Sequence, residues 1–170
     1  MCAAVLAARA ASADPVRGEG VRIGAIPGAS LSYATANRET GYGGELWAGY
    51  ELLRGPWGLT PLGELGFFDF PHEPDMQLFF AMADFKVSYH FGPWIPAATA
   101  GVGYGRTWLS STTPSIKTSY VALAIGAELA HQVTSWLAIG IDFTYRPLVS
   151  TSVSATNTFL DFGASATFTL

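Results

Sequence analysis

The sequence predicts an all-β protein, an eight-stranded antiparallel up-and-down transmembrane β-barrel, on three observations. The last segment, Thr158–Leu170, alternates almost without fault. Leu160, Phe162, Ala164, Ala166, Phe168 and Leu170 share one face, and Asp161, Gly163, Ser165, Thr167 and Thr169 share the other. Period two is the strand repeat, so this segment has one apolar face and one small, polar face. Charged residues make up only 13% of the 170-residue chain, against roughly 25% in soluble domains. That is too little charge to cover a soluble surface, yet no run of about 20 apolar residues offers a helical span. Finally, tight turns alternate with longer polar connections along the chain. A closed barrel, with lipid outside and polar groups inside, accounts for all three.

The strands follow in order. The first, Gly20–Tyr33, sets Val21, Ile23, Ala25, Ala29, Leu31 and Tyr33 on one face; Pro27 falls on that face and predicts a bulge or local fault in the ladder. The second, Gly43–Leu53, opposes Leu46, Ala48, Tyr50 and Leu52 to Glu45, Trp47, Gly49 and Glu51. The third, Trp57–Phe70, opposes Leu59, Leu65 and Phe67 to Thr60, Glu64 and Gly66. The fourth, Met76–His90, opposes Phe79, Ala81, Ala83, Phe85, Val87 and Tyr89 to Asp84, Lys86, Ser88 and His90. The fifth, Ile95–Trp108, alternates Ala98, Ala100, Val102 and Tyr104 with Thr99 and glycines. The sixth, Lys117–Leu129, has Val121, Leu123, Ile125, Ala127 and Leu129 opposite Tyr120, Ala122, Ala124, Gly126 and Glu128. In the seventh, Trp136–Arg146, Leu137, Ile139, Ile141, Phe143 and Tyr145 oppose Ala138, Gly140, Asp142, Thr144 and Arg146. The eighth is the C-terminal segment. Each is long enough for the roughly 9–11 residues that cross a bilayer at a tilt.

Tight turns are expected at Leu53–Trp57, Phe91–Ile95 and Ala130–Thr134, and longer loops at Thr35–Gly41, Pro71–Asp75, Leu109–Ser115 and Val149–Asn157. Two of the turns share the tripeptide Gly-Pro-Trp, at Gly55–Trp57 and Gly92–Trp94. Glycine supplies the dihedral freedom and proline a fixed φ. Aromatic residues near the strand ends, Tyr33, Tyr50, Trp57, Trp94, Trp108, Tyr120, Trp136 and Tyr145, form two candidate girdles at the lipid boundaries.

Residues 1–14 read as a signal-peptide-like leader ahead of a barrel domain over 15–170. Ala3–Ala8 is a short apolar run, and Ala11-Ser12-Ala13 before Asp14 has the small-x-small form of a cleavage site. An amphipathic N-terminal helix is the structural alternative. Cys2 is the single cysteine, so no internal disulfide can form.

The eight-strand meander, the Gly-Pro-Trp turns and the aromatic–small alternation to the end of the chain resemble small Gram-negative outer-membrane barrels of the OmpA, OmpX and OmpW type. The resemblance covers about residues 20–170 and is one of pattern. It implies an outer-membrane location with the short turns and both termini on the periplasmic side, outer-membrane lipids around the wall, and the barrel-assembly machinery as a partner in biogenesis. Such barrels usually end in an aromatic residue, whereas this chain ends in Leu170 with Phe168 two residues earlier.

The inward faces carry Arg22, Glu45, Glu51, Glu64, Asp84, Lys86, Glu128, Asp142, Arg146 and Asp161. In an eight-stranded barrel the lumen is just wide enough for side chains to fill, and isolated buried charge is costly. These residues are therefore expected to form a polar network, with Lys86 and Arg146 each touching at least one inward carboxylate. Small residues on strands five to seven leave one side of the lumen bare, to be filled from across by Trp47 and Phe80. The functional expectation is a mainly structural membrane protein with a polar, largely plugged lumen; the alternative is a narrow channel or porin-like pathway for small solutes or ions.

An enzyme is not expected. Ser88 and His90 share a face, and Glu64 or Glu128 could orient the histidine. Barrels that look like lipid A deacylases use such a set, but facing lipid. Here His90 ends a strand next to a turn and points inward, which suits a pore-mouth histidine satisfied by its neighbours. His72 and His131 lack metal-ligand spacing, and Gly101–Gly105 alternates in a strand instead of opening a helix. No metal or cofactor is expected. Nor is a nucleic-acid partner, since the net charge is −4 and the nine basic residues are scattered. A soluble barrel of lipocalin or fatty-acid-binding type fails on polarity. It would turn the apolar faces to water, at ~1.5 kcal/mol or more for each large side chain.

Overall fold

A computed structural model describes residues 19–34, 37–71, 75–109, 116–150 and 156–170. Residues 1–14 (expected as a leader and including Cys2), His72 and most of the loop connections lie outside the described residues. Within them every regular element is a strand: β1 (Gly20–Ala34), β2 (Asn37–Arg54), β3 (Trp57–Phe70), β4 (Met76–Tyr89), β5 (Trp94–Leu109), β6 (Ile116–Gln132), β7 (Leu137–Ser150) and β8 (Thr156–Thr169). All neighbours pair antiparallel in sequence order, and β1 closes on β8. The protein is an eight-stranded up-and-down barrel.

Each of the eight ladders keeps a single register. Following these registers round the barrel from Arg22, through Gly49, Leu62, Asp84, Gly101, Ala124, Arg146 and Phe159, returns to β1 at Ser32, ten residues further on. That stagger tilts the strands, as closure requires.

Pro27 produces a fault but no bulge. The β1–β8 ladder skips Ile26 and Pro27 and resumes in the same register at Gly28, while the β1–β2 ladder runs through unbroken. A proline has no N–H to give, so it costs bonds only on the side that nitrogen would face. The other two gaps repeat this logic: the β2–β3 ladder skips the step holding Pro61, and the β6–β7 ladder skips the step holding Pro147.

Tight turns and both described chain ends gather at one end of the barrel, here termed the turn end; the other is the loop end. Gly55 and Gly92 have φ of 61° and 57°. Each is followed by a proline, so both turns follow the type II′ pattern that suits two-residue hairpins. The third turn lies later than expected. Ala130, His131 and Gln132 are paired strand residues, and β7 begins at Leu137. There the Thr134 hydroxyl accepts from the backbone N–H of Trp136 (3.3 Å) and Leu137 (3.1 Å). At the loop end, the connection expected over Thr35–Gly41 is mostly strand. Arg38, Glu39, Thr40 and Gly41 pair with Tyr33, Ser32, Leu31 and Ser30, so β1 and β2 extend beyond the alternating region.

Side chains alternate in and out along all eight strands. Leu46, Leu65, Phe85, Val102, Ile125, Ile141 and Phe162 stand exposed on the outer wall. Inside, Arg146, Phe70, Leu78, Phe80, Leu148 and Phe159 are fully buried. An apolar exterior around a packed, partly charged interior inverts the order of a soluble barrel and matches what a bilayer demands.

At the turn end a Trp opens β3 and β5 and another directly precedes β7, each packed on a cross-strand neighbour. Trp57 meets Tyr89 edge-on at 4.9 Å, Trp94 meets His131 edge-on at 4.8 Å, and Trp136 stacks with Phe168 at 6.0 Å. Tyr33, Tyr50 and Tyr145 are also exposed on the outer wall, and Trp108 lies there half-buried. Tyr120 is a correction to the girdle. It shares parity with Ala122 and Glu128, is buried in the lumen, and accepts a hydrogen bond from Asn157 Nδ2 at 3.1 Å.

Candidate functional site: the lumen

The ten charged residues expected in the lumen all lie on inward-facing strand positions, and ion pairs order most of them. At the turn end, Arg22 reaches Glu51 through Nη2 (2.5 Å) and Nε (2.9 Å). Ser88 Oγ donates to Glu51 Oε1 at 3.0 Å, and His90 Nε2 lies 3.1 Å from that oxygen and 3.3 Å from Ser88 Oγ. The His90 backbone N–H is fixed to the Pro56 carbonyl of the neighbouring turn at 2.7 Å. Gly58 makes room for this cluster, because a Cβ there would run into Glu51 and Ser88.

Serine, histidine and an acid therefore do come together, but the acid is Glu51, not Glu64 or Glu128. The geometry is also not that of a relay. In a catalytic triad the acid holds one ring nitrogen and the serine meets the other. Here a single nitrogen, Nε2, faces both, and Nδ1 is buried without a hydrogen-bond partner among the described residues. The serine moreover donates directly to the acid. Glu51 could have been found from the sequence by noting that it lies four residues before Gly55, as Ser88 lies four before Gly92, so both face inward at the same end.

Further up the lumen Lys86 of β4 is ion-paired with Glu128 of β6, over the inner face of β5. The Ser165 hydroxyl donates to Glu128 at 2.6 Å, and the Lys86 ammonium lies 4.5 Å from the centre of the Trp47 ring. Asp142 accepts from the Thr144 hydroxyl at 3.0 Å. A cavity of about 50 Å³ at the turn end, lined by residues including Arg22, Glu51, Lys86, His90 and Gln132, and one of about 20 Å³ beside Glu64, Asp84 and Asp142, lie on either side of Trp47 and Lys86. The first has room for a few waters and the second for about one.

Arg146 forms the next layer. Its Nη1 and Nη2 both lie 3.2 Å from Glu45 Oε1, Nη2 lies 2.8 Å from Glu64, and Nη1 also holds Asp161. Phe80 covers the guanidinium face at 3.6 Å. Asp84 is buried beside this layer with neither carboxylate oxygen hydrogen-bonded among the described residues. Beyond it an apolar cluster fills the loop-end half of the lumen, built from Phe68, Phe70, Met76, Leu78, Met82, Tyr120, Leu148 and Phe159 with Phe80. The parity that puts Glu64 and Asp84 inside also puts these residues inside. Phe80 joins Ala122, Ala124 and Leu148 of the facing strands in the apolar cluster, and Trp47 lines the two cavities with Ala124, Gly126, Ala130 and Ala138. Each lies on the glycine paired with it on the adjacent strand, Phe80 on Gly66 and Trp47 on Gly24.

Among the described residues no three His, Cys, Asp or Glu side chains are placed to hold a metal ion. No protein-family model and no curated protein matches the chain. Solved structures do. A Neisserial surface protein A structure superposes with TM-score 0.72 at 13% identity, over 91% of this chain and all of that one. A structure of the attachment invasion locus protein Ail of Yersinia pestis, in complex with a heparin analogue, gives 0.61 at 18%, over 89% of this chain and all of that one. This is the fold of small outer-membrane barrels. A structure of the outer membrane enzyme PagL shares it too, with TM-score 0.54 at 12% identity, over 88% of this chain and 99% of that one. The same wall thus carries different functions, and the side chains must decide between them.

Proposed function

We propose that the chain is an integral outer-membrane protein of a Gram-negative bacterium, with a structural role and a lumen closed to solute. One observation carries the reading: Arg146 is fully buried among three carboxylates and capped towards the loop end by Phe70, Leu78, Phe80, Leu148 and Phe159. Passage would have to strip an ion-paired arginine and open an apolar layer. A buried charge that loses its partners costs ~3–5 kcal/mol. The partners that follow are outer-membrane lipids around the wall and the barrel-assembly machinery during insertion. Residues 1–14 act as the leader, so that the mature protein begins near Asp14 and the barrel domain spans 15–170; N-terminal sequencing of the membrane-inserted protein tests this.

A narrow solute or ion pathway is the competing reading, favoured by the turn-end cavity next to Lys86. Planar bilayers separate the two. The closed reading expects no discrete conductance steps from the wild-type barrel. Steps that change when Lys86 or Arg146 is neutralised would replace it with the pathway.

A further inference from the structure

We propose that Arg106 and Lys117 form a binding site for the phosphate of a lipid headgroup, on the outer wall at the loop end of β5 and β6; this rests on the membrane reading above. Both residues sit at outward-facing strand positions. At the loop end one rung of paired outward residues runs Asp69, Gln77, Trp108, Lys117, and the next but one towards the turn end runs Phe67, Phe79, Arg106, Ser119. After it come Leu65, Ala81, Tyr104 and Val121. The wall changes from polar to apolar across these rungs, and Arg106 sits at the change.

The Arg106 side chain turns towards the loop end, its guanidinium carbon 5.5 Å from the centre of the Trp108 ring. Its Nε is buried and without a hydrogen-bond partner among the described residues. With Nε enclosed by the wall, an anion would meet the guanidinium through its outer Nη groups. Lys117 is paired with Trp108, while Arg106 is paired with Ser119, so the two cations are diagonal cross-strand neighbours. That spacing, about 7–8 Å between Cα atoms, lets two long side chains converge on one group. Arginine offers a planar fork for phosphate oxygens and lysine a point charge. Trp108 between them is the side chain that settles at headgroup level.

The β5–β6 connection, residues 110–115, contains serine, threonine and proline and no charge, whereas Asp69, Glu73 and Asp75 belong to the β3–β4 side. A free phosphate would offer the same oxygens. The lipid is favoured because the site lies on the outer wall where apolar surface gives way to polar.

The test uses the barrel folded into phosphatidylcholine vesicles doped with spin-labelled phosphatidylglycerol or spin-labelled phosphatidylcholine. The wild type should select phosphatidylglycerol, and R106Q and K117Q should each reduce that selectivity about five-fold, as expected for one charge at a membrane surface. R54Q, on the outer wall at the turn end, should leave most of it. Selectivity unchanged in the R106Q/K117Q double variant would overturn the proposal. Abolition by inorganic phosphate, but not by sodium chloride of equal ionic strength, would reassign the site to free phosphate and overturn the lipid claim. Failure of the membrane reading is distinguishable, since the wild type would then enter no vesicle of any composition.

Discussion

The guanidinium carbon of Arg146 lies over the Phe80 ring, 3.6 Å from its centre, while Glu45, Glu64 and Asp161 hold the guanidinium nitrogens. One residue thus joins the polar and apolar halves of the lumen. Replacing it by methionine would keep the bulk on Phe80 and leave three carboxylates without their cation. A loss of ~3–5 kcal/mol is expected, measured by urea unfolding in lipid vesicles. Arg146→Lys should recover part of this, because lysine keeps the charge but not the fork. Equal stability in all three proteins would remove Arg146 from the centre of the account.

Glycines under aromatic rings should be intolerant in a graded way. A Cβ on Gly66 would enter the Phe80 ring and one on Gly24 the Trp47 ring, whereas a Cβ on Gly63 has nothing within 4 Å. Gly66→Ala and Gly24→Ala should each cost ~1–3 kcal/mol through overpacking. Gly63→Ala should be close to neutral by the same unfolding measurement, and a reversed order would contradict the placement of the two rings.

The proline gaps predict a change in amide exchange. Giving residue 147 an N–H, by Pro147→Ala, supplies the donor missing where the β6–β7 ladder skips the Pro147 step. The new amide should exchange as slowly as those of its strand neighbours. Fast exchange there would mean that the gap has a cause other than the missing donor.

The Ser88, His90 and Glu51 cluster is read as a network that satisfies buried polar groups. Ser88→Ala should cost ~1 kcal/mol and change no chemistry. Release of fatty acid from membrane lipids by the wild type, lost in Ser88→Ala, would turn the cluster into an active site despite the shared nitrogen.

The inward and outward faces were legible in the sequence because a period of two assigns a side chain by parity alone. Asp161 and Phe162 could be placed on opposite faces with no knowledge of their neighbours. Tyr120 shows the cost of setting parity aside: its place near a strand end suggested a girdle, but its even number put it inside. Strand ends were harder to read. Arg38, Glu39 and Thr40 do not alternate and look like a loop, yet the β1–β2 ladder continues through them. Pairings across the lumen were harder still. They depend on the stagger of the whole barrel, which no single strand encodes. That is why Glu51 was missed as the partner of Ser88 and His90, whereas Lys86 and Arg146 could be expected to find carboxylates of some kind.

Gel migration of the barrel domain after refolding into phosphatidylcholine vesicles tests the central claim most directly. Run in detergent without boiling, the inserted protein should migrate as a compact species distinct from the boiled chain and should float with the vesicles. A chain that stays in solution without detergent, folded and with no heat-dependent shift, would contradict the lipid-facing barrel and everything built on it.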